Sequence, residues 1–175
     1  MKLGIVGHGF VGTAVDHGFT KDVQKFIVDP KHNSTNTIED LIAFRPDATF
    51  VAVPTPQLES GECNTEILES VMQQLNTCKG LLVIVKSTVP AYKLQSMIEQ
   101  CVDLRIVYNP EFLTEKNWRL DFKACRHWVF GEPASASLAS KQRFQSAVQD
   151  VFGAAFESGC IDHQELHFVL SLIHI

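Results

Sequence analysis

Gly7-His8-Gly9-Phe10-Val11-Gly12 sets three glycines in a G-x-G-x-x-G spacing, between an apolar run at Lys2–Val6 and a helical stretch at Phe10–Phe19. That spacing suits a diphosphate. The first glycine permits a tight turn, the second removes a Cβ where the ligand meets the backbone, and the third lets helix and strand pack closely. A helix opening there turns free N–H groups and the positive end of its dipole toward the phosphates. Gly7, His8, Gly9, Phe10, Val11 and Gly12 are therefore assigned to the cradle, with His8 read as a solvent-facing filler rather than a base. Asp29 closes the second apolar run. A carboxylate there accepts from the hydroxyls of an adenosine ribose and repels a 2′-phosphate, which predicts NAD rather than NADP, although Lys31 nearby pulls the other way. Asp29 also suits the turn ahead of Pro30.

Three further clusters of proline and polar residues follow apolar runs: Val53-Pro54-Thr55-Pro56, Lys86-Ser87-Thr88-Val89-Pro90 and Asn109-Pro110-Glu111-Phe112-Leu113-Thr114-Glu115. Each reads as a turn. Together they place stiff loops and hydroxyl groups on the edge of a sheet where a ligand is expected.

The elements that must hold these groups alternate. Strands are predicted at Lys2–Val6, Lys25–Val28, Thr49–Val53, Leu81–Val85, Leu104–Val107 and His127–Phe130. Helices are predicted at Phe10–Phe19, Ile38–Phe44, Thr65–Asn76, Ala91–Cys101 and Ala134–Val151. Asn64 is the expected N-cap of the third helix, and Pro90 precedes the fourth. Nearly continuous β-branched runs indicate parallel strands covered on both faces. The fold class is therefore α/β, a doubly wound parallel sheet of the Rossmann type, with ligands beyond the carboxyl ends of its strands.

With four motifs in order (the glycine loop, V-P-T-P, K-S-T-V-P and N-P-E-F-L-x-E), the chain resembles the N-terminal domain of the UDP-glucose/GDP-mannose dehydrogenase family over roughly residues 1–131. The last motif is closer to the UDP-glucose branch. The resemblance implies NAD-dependent oxidation of the C6 alcohol of a nucleotide sugar to a carboxylate. It assigns the adenosine and pyrophosphate to Gly7–Gly12 and Asp29, and the path toward the nicotinamide to Val53, Thr55, Ser87 and Thr88. Thr88 is also placed near the reacting carbon, ordering water. Glu111 becomes the general acid/base that manages hydrolysis of a thioester, a role suited to a carboxylate in a partly dry cleft. Glu115 touches cofactor and sugar, and Phe112 and Leu113 belong with Glu111 and Glu115 to the substrate side. Read without the resemblance, Glu111 and Glu115 are a capping pair on the next helix. Lys86 is either a substrate contact or a solvated strand-end lysine.

The chain departs from the family at Ala91-Tyr92, where proline-glycine is usual, and at Lys116-Asn117, where a glycine is usual. It is also short between Asp29 and the third strand. The family's central helix and nucleophilic cysteine have no counterpart, because Cys160 lacks the flanking Phe-Pro-Lys. The expected organisation is an NAD-binding domain at 1–153 and the start of a link toward a missing central helix and second domain at 154–169. Residues 170–175, Leu-Ser-Leu-Ile-His-Ile, read as a sequencing-adapter scar. The chain is accordingly expected to be an incomplete enzyme without turnover of its own. The full-length protein is expected to form a homodimer through the missing helix.

The bulk properties narrow the partners. A net charge of −5 with no basic run argues against nucleic acid. No apolar run approaches the ~20 residues of a membrane span. Five scattered cysteines without a Cys-x-x-Cys pair predict neither a disulfide framework nor a metal site and point to a reducing cytoplasm. Two other readings remain: a 3-hydroxyacid-type dehydrogenase, against which N-P-E-F-L-x-E speaks, and a stand-alone dinucleotide-binding module.

Overall fold

The computed structural model describes residues 1–19, 22–33, 35–110, 113–114, 116–131, 137–162 and 165–169. The elements run β1 (Lys2–Val6), α1 (Phe10–Gly18), β2 (Gln24–Val28), α2 (Ile38–Phe44), β3 (Ala48–Val51), α3 (Glu66–Leu75) and β4 (Leu82–Val85). They continue with α4 (Ala91–Gln100), β5 (Arg105–Tyr108), α5 (Trp118–Lys123), β6 (His127–Gly131), α6 (Leu138–Glu157) and β7 (Glu165–Val169). The seven strands form one sheet in the order β2-β1-β3-β4-β5-β6-β7. The chain steps outward from β1 to β2 and then returns to the other side of β1 with β3, so strand order reverses between β1 and β3. The crevice at their carboxyl ends is where a doubly wound sheet takes its ligand.

Both faces of the sheet are covered, which explains the unbroken apolar runs. Along β4, Leu82 and Ile84 face one core while Val83 and Val85 face the other, and all four are buried. The core under α2, α3 and α4 is aliphatic, built on Val51, Leu68, Met72 and Leu94. The opposite core is aromatic. Phe152 of α6 packs edge-on or tilted against Phe19, Phe50, Trp128 and Phe130 at centroid distances of 4.8–6.3 Å.

The structure differs from the sequence-based expectation of the fold in several places. β6 runs antiparallel to β5, with Tyr108 opposite Gly131, and β7 then pairs parallel to β6, so the sheet is not parallel throughout. The chain between β5 and β6 contains α5, a short helix laid on α1 instead of a crossover returning to the amino edge. α5 went unpredicted because its six residues carry too little periodicity. Its Phe122 ring fits where Gly18 leaves room: a Cβ on Gly18 would lie 2.0 Å from the ring. Within the described residues α6 starts at Leu138, behind Ser137, whose hydroxyl accepts from the Ser140 N–H at 3.2 Å. The expected start at Ala134 lies outside the described residues. α6 continues through Gly153 to Glu157, because buried Phe152 and Ala155 hold it to the sheet and outweigh the glycine's poor helix propensity. Residues 154–169, read above as the start of a link, thus hold the end of α6 and all of β7. Residues 170–175 lie outside the described residues.

Phe152 is fully buried and joins α6 to rings from α1's end, β3 and β6. Phe152→Ala is expected to destabilise the fold by about 3–5 kcal/mol, read as a lowered urea midpoint with an unchanged slope.

Candidate functional site

β1 ends at Val6, and the chain turns at Gly7, whose φ of +87° favours glycine. The turn is pinned by Gly7 N–H donating to the Val28 carbonyl at 2.9 Å. There is no room for a side chain either, since a Cβ on Gly7 would meet the Ala52 carbonyl oxygen at 2.5 Å. Gly12, in the first turn of α1, approaches the same corner. A Cβ there would stand 1.9 Å from the Gly7 carbonyl oxygen. Gly9 is the N-cap and lies in the open, with nothing within 4 Å of a built Cβ. No side chain caps the helix start and no acidic residue sits in its first turn. Among the described residues the first amides of α1, at Phe10, Val11 and Gly12, have no capping partner, and the space beside Gly9 is open, as a diphosphate would require. Phe10 itself is exposed, with its ring edge-on to Trp118 at 6.4 Å.

Asp29 stands beside this loop at the end of β2, and its carboxylate is already engaged. Oδ2 accepts the His8 N–H at 2.7 Å; Oδ1 accepts from Lys31 at 2.7 Å and His32 at 3.1 Å. Burial pushes the Asp29 carboxyl up, but the three backbone N–H groups outweigh it and hold the group below the usual carboxylate range. A carboxylate has about four lone-pair sites, so Oδ2 keeps acceptor capacity for a ribose hydroxyl. Asp29 is both a fastener of the glycine loop and a prospective ribose contact.

His8 does not face solvent as expected. Its ring is half-buried, with Nε2 3.0 Å from Asp16 Oδ2 and its centroid 4.1 Å from that of His32. Asp16 also pairs with Lys25 and takes the Lys25 ammonium at its backbone carbonyl, 2.7 Å away. Burial raises the Asp16 carboxyl, while hydrogen bonds and charge from Lys25 and His8 lower it further, leaving it depressed. The reason for the turn inward is local: Asp16, two turns along α1, offers an acceptor that solvent exposure would forgo.

The ends of β3 and β4 are laced together across the crevice. Ser87 donates its hydroxyl to the Val53 carbonyl at 2.8 Å, and Thr55 donates to the Thr88 carbonyl at 2.7 Å. Val53 and Ser87 are buried, Thr55 half-buried and Thr88 exposed. With their protons committed, Ser87 and Thr55 can offer a ligand only acceptor lone pairs.

Lys86 is not a solvated lysine. It is 4% exposed, and its ammonium donates to Asn109 Oδ1 at 2.8 Å. Asn109, equally buried, sends its Nδ2 to the Val129 carbonyl at 2.8 Å, joining β4, β5 and β6. Leu113 is half-buried and shares with these two a cavity of about 40 Å³ that also meets Phe122 and Trp128. Thr114 donates both its backbone N–H and its hydroxyl to Asp121 Oδ2 at 2.9 and 2.6 Å, which anchors the far end of the N-P-E-F-L-T-E segment on α5. Glu111, Phe112 and Glu115 lie outside the described residues. Sequence reading passed over Asp16 and the Asn109 side chain; only the motif around Asn109 offered a signal.

Two tests follow from this corner. Gly12→Ala forces α1 off β1 and is expected to lower the melting temperature sharply, whereas Gly9→Ala leaves melting nearly unchanged and weakens NAD binding by about tenfold, near 1.4 kcal/mol. In acid, the stability contributed by Asp29 and Asp16 is complete above the unfolded-chain value of about 3.9. It is lost as pH falls through their lower folded values. Asp29→Asn should therefore flatten the acid limb of a plot of urea midpoint against pH; an unchanged limb would deny Asp29 its structural role.

Residues 14–149 match the family described as the UDP-glucose/GDP-mannose dehydrogenase family, NAD binding domain. Among solved structures, the chain is similar to a UDP-glucose dehydrogenase from Pyrobaculum islandicum, with a TM-score of 0.76 and 22% identity over 96% of this chain and 46% of that one. It is similar also to a GDP-mannose dehydrogenase from Pseudomonas aeruginosa, with a TM-score of 0.72 and 18% identity over 99% of this chain and 47% of that one. A 3-hydroxyisobutyrate dehydrogenase from Mycobacterium tuberculosis shares the fold at a TM-score of 0.63 and 11% identity, covering 95% of this chain and 53% of that one. Identities this low establish the α/β dehydrogenase fold and nothing finer. The chain spans about half the length of each of these structures. The glycine corner fits the cofactor that the family match names, and the match extends over most of the chain: it belongs to the UDP-glucose/GDP-mannose dehydrogenase family as an NAD-binding domain.

Proposed function

We propose that this domain serves a nucleotide-sugar 6-dehydrogenase acting on UDP-glucose, which it oxidises at C6 to the carboxylate. The observation that carries the proposal is the glycine corner at the β1/β3 reversal. Bare amides of α1 open onto free space beside Gly9, and Asp29 stands next to them with acceptor capacity left on Oδ2. When bound, the nicotinamide ring accepts the hydride; everything else falls to the protein's own groups. Gly7–Gly12 hold the diphosphate, Asp29 the adenosine ribose. Thr55 and Ser87 present oxygen acceptors that complement the amide N–H groups of a carboxamide. Thr88, exposed at the edge, orders water near the reacting carbon.

Glu111, Phe112, Leu113 and Glu115 are assigned to the substrate side, with Glu111 as general acid/base and Glu115 at the join of cofactor and sugar. Support for UDP-glucose comes from the N-P-E-F-L-x-E form of this segment. The fixed position of Thr114 on Asp121 holds the segment's end against α5. Lys86, buried on Asn109, is assigned a positioning role behind the segment rather than contact with the sugar. The whole enzyme is proposed to be a cytoplasmic homodimer that binds no nucleic acid. None of the five cysteines is in a disulfide, and no described helix is long and apolar enough to cross a membrane.

Calorimetry is expected to give heat with NAD and much less with NADP, and no heat with millimolar NAD would sink the cofactor assignment. NADH formation by the enzyme that carries this domain, followed side by side with UDP-glucose, GDP-mannose and UDP-N-acetylmannosamine, tests the sugar; UDP-glucose is expected to react fastest. Glu111→Gln is expected to slow the hydrolytic step more than the first oxidation. Equal losses in both would remove it from its role.

A further inference from the structure

We propose that His127, Glu165 and His167 form a binding site for a zinc-type divalent ion, clipped across strands β6 and β7. His127 Nδ1 lies 3.1 Å from His167 Nε2 and 3.1 Å from Glu165 Oε2. His167 Nε2 lies 3.9 Å from the same carboxylate oxygen. An ion bound tetrahedrally at about 2.0–2.2 Å from each donor keeps its ligand atoms roughly 3.3 Å apart. The triangle therefore has the size of three corners around one ion.

The backbone fixes this triangle. β6 and β7 pair in parallel, with His127 opposite Glu165 and Val129 opposite His167. Side chains two residues apart on a strand share a face, so His127, Glu165 and His167 all project from one side of the paired strands. No loop has to be ordered to bring them together. Glu165 and His167 are two residues apart, but His127 lies 40 residues from His167 and is joined to them only by the pairing of β6 and β7.

Two imidazoles and one carboxylate suit zinc, nickel or copper, whereas calcium and magnesium take shells of oxygen. Three protein donors leave the fourth corner of a tetrahedron to water. All three side chains are exposed, at 63%, 66% and 49% for His127, Glu165 and His167, so an ion enters without rearrangement. Among the described residues nothing holds the other ring nitrogen of either histidine. The site therefore lacks the outer partners that make resident metal centres tight, and a readily exchanged ion is expected.

Without an ion, the contacts of His127 Nδ1 with His167 Nε2 and Glu165 Oε2 hold the three groups together. Metal titration separates the two states. Tag-free protein titrated with zinc chloride is expected to take up one equivalent with heat. Zinc at about ten times its dissociation constant should raise the melting temperature by roughly 3–6 °C. Cobalt(II) should give the d–d absorption of a low-coordinate site, displaced by zinc. His127→Gln and His167→Gln should each abolish the heat, the shift and the absorption. Both positions are exposed, and metal-free melting of the variants checks that they fold. No heat from the unaltered protein, or a response that survives either substitution, overturns the proposal.

Discussion

The contact between Gly12 and the carbonyl of Gly7 decides how close α1 can come to the end of β1. A hypothetical Cβ at 1.9 Å leaves no compromise, since the opposing atom is main chain and cannot rotate away. With both positions bare, the helix starts almost on the strand, and its first amides project over the β1/β3 reversal rather than to one side. The Asp29 bond to His8 then fixes the loop between them. Helix dipole, free amides and the acidic neighbour are aligned by a single steric fact, so the site is preorganised by packing and needs no mobile part.

The other side of the crevice uses paired polar groups instead of close packing. Buried Ser87, Lys86 and Asn109, and half-buried Thr55, each spend a side-chain hydrogen bond on a carbonyl or amide of a neighbouring strand end. Burying such groups is costly unless they are paired, and the pairs tie β3 to β4, β4 to β5, and β5 to β6. The strand-end loops that should meet ligand are thereby held in a fixed relation. This matters most at β6, which meets β5 in register only at its tip.

Much of this was legible in the sequence, for reasons that can be named. The glycine spacing stood out because steric exclusion leaves one residue type at each position, and strands β1 to β5 stood out because two covered faces demand continuous apolar runs. α5 and β7 were missed because each is short and held by tertiary contact: Phe122 depends on the gap at Gly18, and β7 on register with β6. The antiparallel turn of β6 was also hidden, since a strand's own residues do not encode its direction. His8 was misplaced because its partner, Asp16, lies two turns further along a helix whose facing is set only when α1 docks. Lys86 looked like a strand-end charge, and nothing local announced that Asn109 would enclose it.

The triple use of the Asp29 carboxylate carries a lesson for altering coenzyme preference. In dinucleotide enzymes generally, the acidic residue at this place is the first target when a phosphorylated coenzyme is wanted. Here the same oxygens rivet the glycine loop and the turn after β2. A change that welcomes an extra phosphate also unfastens the glycine loop beside it. Redesign would have to supply a new anchor for the His8 amide before discrimination could be rewritten.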